Sequence, residues 1–83
     1  MNLESVQVRL RTAFPEAEEI RVQGEGNKIS VLIVSPVFAG LRPVQKQQKI
    51  YGCMQDWISS GELHAVTMQT LTPDEWKKMR MFA

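Results

Sequence analysis

Two side chains occur once each and could do chemistry that no other residue here can. Cys53 is a nucleophile or soft metal ligand, and His64 is a general base or borderline metal ligand. Together they could form a nucleophile and its base, but the sequence offers no third group to orient the imidazole. Lys49 stands one helical turn before Cys53, and its charge would lower the thiol pKa slightly. One neutral imidazole cannot complete a metal site. A metal bound through His64 would take its remaining ligands from a partner or a small molecule. A lone cysteine also excludes an intramolecular disulfide and any multi-cysteine metal site built by one chain.

A third candidate is basic. No acid occurs between Gly26 and Gln55, where Lys28, Arg42, Lys46 and Lys49 stand. Arg42, Lys46 and Lys49 could contact phosphates from the outer face of one helix. The bland alternative is a solvated surface, and the net charge of +1 is too small to decide for nucleic acid. No aromatic platform supports base stacking, because Tyr51 and Trp57 fall on the arc that reads as buried. Gly24-Glu25-Gly26 is no phosphate loop, since it lacks the third glycine and joins two strands instead of opening a helix.

The elements that position these residues follow from periodicity. Leu3, Val6, Leu10, Ala13 and Phe14 form one helical stripe, with Asn2 as N-cap and Pro15 as the stop. Ile20 and Val22 alternate with Glu19, Arg21 and Gln23, which reads as a half-buried strand. Gly24 to Asn27 reverses the chain, and Lys28–Ser35 is a second strand, apolar on both faces and therefore central. Pro36 ends it, Phe38-Ala39-Gly40 turns, and Pro43 opens a helix. That helix reads as continuous, with Val44, Ile50, Tyr51, Met54, Trp57 and Ile58 inward, Lys46, Lys49, Cys53 and Asp56 outward, and Gln47 a polar misfit on the inner arc. Ser59-Ser60-Gly61 closes it, Gly61 being the C-cap. Leu63–Leu71 is the third strand, beginning at His64, and strand-helix-strand favours a parallel crossover. Thr72-Pro73-Asp74-Glu75 is a capping box opening a last helix that turns Trp76, Met79 and Phe82 inward.

The sum is one α+β domain over residues 1–83, ordered α-β-β-α-β-α, with helices packed on a three-stranded mixed sheet. Its longest apolar run, Val31–Val34, is far too short to span a membrane. The N-terminus lacks a basic region followed by an apolar one, so the expected location is the cytoplasm.

Phe38, Gly40, Lys46, Gln47, Ile50 and Tyr51 stand at the spacings of a Phe-x-Gly…Arg-His…Val-Tyr motif, with Lys46-Gln47 in place of Arg-His. Together with Leu63-His64-Ala65-Val66 and Leu71-Thr72-Pro73-x-Glu75-Trp76, they make the chain resemble the BolA family along essentially its whole length. Lys46-Gln47-Gln48 and Tyr51-Gly52 are similar to its short IbaG/YrbA-like branch. The resemblance implies a class II KH-like fold and a non-enzymatic adaptor for iron–sulfur cluster assembly, trafficking and iron homeostasis. The implied partner is a monothiol glutaredoxin of the Cys-Gly-Phe-Ser type. The implied cofactor is a 2Fe–2S cluster held between the two proteins, with thiolates from glutaredoxin and glutathione and His64 as this chain's ligand. Many members place a second His or Cys in the loop between the first two strands, where this chain has Lys28. Either His64 acts alone, or the cluster is held more weakly, or the complex forms without one. The other reading is a DNA-binding regulator of stress response and cell morphology using Arg42, Lys46 and Lys49. The KH-type Gly-x-x-Gly loop that clamps a nucleic-acid backbone is absent. Alone, the protein is expected to be a monomer or weak homodimer.

Overall fold

Helix α1 (Leu3–Ala13) opens on Asn2, whose side chain accepts the Ser5 N–H at 2.7 Å while Ser5 Oγ accepts the Asn2 N–H at 2.9 Å. The computed structural model describes residues 2–25 and 28–81. Within them follow β1 (Glu19–Glu25), β2 (Lys28–Val34), a 3-10 turn (Pro36–Phe38), α2 (Pro43–Cys53), α3 (Gln55–Ser60), β3 (Ala65–Leu71) and α4 (Pro73–Met81). The sheet order is β1-β2-β3, so the strand with apolar residues on both faces is central. β1 and β2 are antiparallel, with Ile20 opposite Ile33 and Glu25 opposite Lys28. β2 and β3 are parallel, from Lys28 opposite Ala65 to Val34 opposite Leu71. The reversal between β1 and β2 needs Gly24: at φ +153° any Cβ would lie 2.3 Å from the Lys28 carbonyl oxygen. Gly26 and Asn27, also read as part of that turn, lie outside the described residues.

One face of the sheet carries the core. Ile20, Ile29, Val31 and Ile33 pack there with Val6, Leu10, Phe14, Phe38, Ile50, Met54, Trp57 and Leu63. Val66 and Met68 of β3 are only half-buried, as befits an edge strand. On the opposite face Arg21, Gln23, Ser30, Thr67 and Gln69 remain exposed. α4 lies toward one end of that face, where the Arg21 guanidinium sits 5.1 Å from the Trp76 ring centroid.

Several local expectations change. The central helix is not continuous: Met54, at φ −120° and ψ 15°, separates α2 from α3. Gly52, a poor helix former, precedes the break, and the bend lets Met54 and Trp57 both reach the core. The inner stripe of α2 is also rotated. Ile50 is its buried residue, Cys53 packs against the core and Lys46 is half-buried, whereas Val44 is 55% and Tyr51 38% exposed. Gln47 is therefore no misfit; it faces solvent. The first stripe keeps Val6, Leu10 and the following Phe14 in the core, whereas Leu3 is 39% exposed and Ala13 is exposed too. Gln7, off the stripe, donates from Nε2 to the Ile20 carbonyl at 3.0 Å. In α4, Trp76 is half-buried but Met79 is 43% exposed, and Phe82 lies outside the described residues.

The capping box that opens α4 forms as read. The Thr72 N–H donates to Glu75 Oε1 at 2.8 Å and the Glu75 N–H to Thr72 Oγ1 at 3.3 Å. The Thr72 hydrogen bonds hold the Glu75 carboxyl below its ordinary pKa of 4.5, helped by the charges of Lys46 and Lys78. A carboxylate with a depressed folded-state pKa stabilises the fold fully above its unfolded pKa and loses that contribution as pH falls through the folded value. Thr72→Ala should therefore cost about 1 kcal/mol at neutral pH. The loss should shrink as the pH drops below 4.5, and urea unfolding at neutral and acid pH measures both. A pH-independent loss would show that the Thr72 hydroxyl acts through the Glu75 N–H alone, the carboxylate being held by the Thr72 N–H in either case.

Candidate functional site

His64 owes its position to the turn before it. α3 ends on Gly61 in the left-handed conformation at φ +83°, a backbone shape that favours glycine. The Leu63 N–H then donates to the Trp57 carbonyl at 3.1 Å, and the Leu63 side chain is buried to 1% exposure. Leu63 thus anchors the turn while His64, the next residue, is exposed. Its Nε2 would lie 3.8 Å from a Cβ placed on Gly61, so the ring folds back over the glycine. The strand proper begins one residue later, at Ala65, so His64 belongs to the turn and not to the ladder.

The parallel register brings a second segment to the same end of the sheet. Ala65 pairs with Lys28, the first residue of β2, so the β1–β2 connection ends beside His64. Lys28 is exposed there, a cation with no lone pair to offer a metal while charged. Among the described residues no three His, Cys, Asp or Glu side chains gather to hold a metal ion. At this end of the sheet His64 can supply one nitrogen ligand, and a metal site needs several. Glu62, on the same turn, is turned back: Ser60 Oγ lies 3.2 Å from its Oε2.

Cys53 is not part of this end. It closes α2 and is half-buried, and its Sγ–H donates to the Ile50 carbonyl at 3.0 Å. Burial pushes the thiol above its ordinary pKa of 9.0, against a smaller lowering by its own backbone hydrogen bond and by Arg9. The expectation that Lys49 activates it is overturned, because desolvation of the thiolate outweighs every nearby charge. Arg9, which the periodicity leaves merely off the apolar stripe, organises this region. Its guanidinium lies 3.6 Å over the Trp57 ring, donates to the Cys53 carbonyl at 3.3 Å and pairs with Asp56. That pairing depresses the Asp56 pKa.

The basic candidates are dispersed in environment. Arg42 is exposed at the start of α2, where its backbone N–H donates to Gln45 Oε1 at 2.8 Å. Lys49 is exposed, but Lys46 is half-buried and its charge acts on Glu75. Part of the positive potential that the sequence assigns to this helix is therefore spent inside the molecule.

Comparison with known proteins decides the family. A model of BolA-like proteins matches residues 1–75. The chain belongs to the BolA-like family. It is 44% identical over 82 residues to a protein encoded in the rpoN–murA intergenic region of Acinetobacter guillouiae, covering 99% of this chain and 98% of that one. It is 36% identical over 63 residues to the acid stress protein IbaG of Escherichia coli K12, covering 76% of this chain and 75% of that one. Among solved structures, a BolA-like protein of Babesia bovis superposes with a TM-score of 0.83 at 26% identity, over 96% of this chain and 94% of that one. The α+β architecture derived from periodicity is thus the BolA fold. No described helix is long and apolar enough to cross a membrane.

Proposed function

We propose that this BolA-like protein is a non-enzymatic adaptor that docks on a monothiol glutaredoxin and lends His64 to a shared 2Fe–2S cluster. The observation that carries this reading is the presentation of His64: one exposed imidazole, fixed by Gly61 and the buried Leu63, in a chain of this family. A solvent-facing single ligand is of little use alone and fits a site whose thiolates arrive on a partner. Handing such a cluster on, or withholding it, would link the protein to iron–sulfur assembly and iron homeostasis. A role in acid stress, as the name of the E. coli relative describes for that protein, is compatible with this adaptor.

The test is co-expression with a Cys-Gly-Phe-Ser glutaredoxin, purification of the complex, and visible absorption and circular dichroism beside His64→Ala. The wild type should give a heterodimer whose cluster spectrum differs from that of the glutaredoxin alone, and His64→Ala should abolish the difference. Because His64 is exposed, the substitution should leave unfolding within about 0.5 kcal/mol of wild type. A complex with no His64-dependent spectrum would refute the ligand role. No complex at all would refute the adaptor and leave DNA binding through Arg42, Lys46 and Lys49, which should weaken steeply with salt.

A further inference from the structure

The two edges of the sheet are defended differently. β1 carries Glu19 and Arg21, charges that discourage another strand from pairing. β3, Ala65-Val66-Thr67-Met68-Gln69-Thr70-Leu71, has no charge and no proline along its whole length. Its register against β2 runs unbroken from Lys28–Ala65 to Val34–Leu71, so no bulge twists the edge away. Among the described residues the sheet order leaves β3 paired with β2 alone, and its other edge faces away from the sheet with N–H and C=O groups that no described strand pairs.

We infer that this edge is a self-pairing surface: two copies of the chain join β3 to β3, antiparallel, into one six-stranded sheet. A second copy fits better than an unrelated strand because the edge is self-complementary. A two-fold axis at Met68 sets Thr67 opposite the partner's Gln69 and Val66 opposite the partner's Thr70, with no like charges facing each other along the strand. The flanks also favour the antiparallel sense. One end of β3 carries Lys28 on the neighbouring strand, and the other runs into the exposed Asp74, so a basic and an acidic group stand at the ends that meet. A seven-residue edge is a small interface, and the pairing is weak and concentration-dependent. In that register the two His64 residues stand about 26 Å apart along the strands. No metal bridges them, and a chelator should leave the dimer intact.

Sedimentation of the purified chain across a wide concentration range should show a reversible monomer–dimer equilibrium, unchanged by chelator. Amide exchange should slow selectively in β3 as concentration rises. Thr67→Lys with Gln69→Lys places lysines opposite lysines and should raise the dissociation constant at least tenfold. Both side chains are exposed, Gln69 also meeting Met79 Sδ of α4 at 3.9 Å, and an unchanged unfolding curve confirms that the fold survives. Mixing that variant with Thr67→Glu/Gln69→Glu should restore pairing as a heterodimer. A wild type monomeric at millimolar concentration overturns the inference, as does a dimer indifferent to the lysine pair. So does protection of β3 that appears only on adding glutaredoxin, which would assign the edge to that partner.

Discussion

Phe38→Ala should destabilise the protein by about 3–5 kcal/mol, a large share of what a small domain has to lose. Phe38 sits in the 3-10 turn between β2 and α2 and is 1% exposed. Its ring centroid lies 5.6 Å from that of Phe14, at 47° between planes, where Phe14 caps the end of α1. The pair therefore ties the first helix to the connection that launches the second. Truncation removes the transfer free energy of the ring and leaves a cavity among side chains already in contact, which partial relaxation does not close. Urea denaturation should show the midpoint falling by roughly 1.5–5 M, at a slope of about 1–2 kcal/mol/M. Phe38→Leu, which keeps most of the volume, should cost about 1.5 kcal/mol or less. An alanine variant within 1 kcal/mol of wild type would mean that the turn is not part of the cooperative core.

Phe38 was legible in the sequence only as a turn residue and not as core, whereas most elements were legible because they rest on local physics. Strand β2 reads as central from apolar residues on both faces, and α4 reads from Thr72 to Glu75 as a cap whose hydrogen bonds then appear. The break at Met54 was not legible. Ile50, Met54 and Trp57 keep helical spacing across it, and the signal that was present, Gly52, is too weak alone to end a helix. The rotation of α2 was hidden for a related reason. Val44 and Tyr51 look apolar enough to be buried, but only tertiary packing decides which arc of a short helix meets the sheet.

The site divides along the same line. That His64 begins the third strand's approach follows from Gly61 and from the alternation after it. That it lies beside Lys28 follows from parallel pairing, which the strand-helix-strand order anticipates. The state of Cys53 was out of reach, since it depends on burial and on Arg9, a residue 44 positions away in sequence. The half-buried Lys46 and its action on Glu75 likewise need the placement of α4 against α2. Long-range electrostatics leave no periodic trace.

If the protein shares a cluster with a glutaredoxin as proposed, replacing Lys28 by histidine should strengthen cluster retention in that complex, by roughly ten- to a hundredfold in the time for which the cluster survives a chelator challenge. Lys28 pairs with Ala65 across the parallel ladder, so its side chain starts one strand spacing from the residue that follows His64. An imidazole there adds a neutral nitrogen donor to the end of the sheet that otherwise offers one. A tenfold gain corresponds to about 1.4 kcal/mol and a hundredfold to about 2.8 kcal/mol, and the lower bound allows for imperfect aim. Lys28→Gln removes the same charge without supplying an imidazole and separates the two effects. If the histidine variant gains and the glutamine variant does not, the cluster uses the added donor, and His64 alone had limited its hold. If both variants gain equally, the lysine charge was the obstacle and the ligand count is not. If neither changes the lifetime while His64→Ala still abolishes the spectrum, the start of β2 does not face the cluster, and the glutaredoxin approaches His64 from the other side of the sheet.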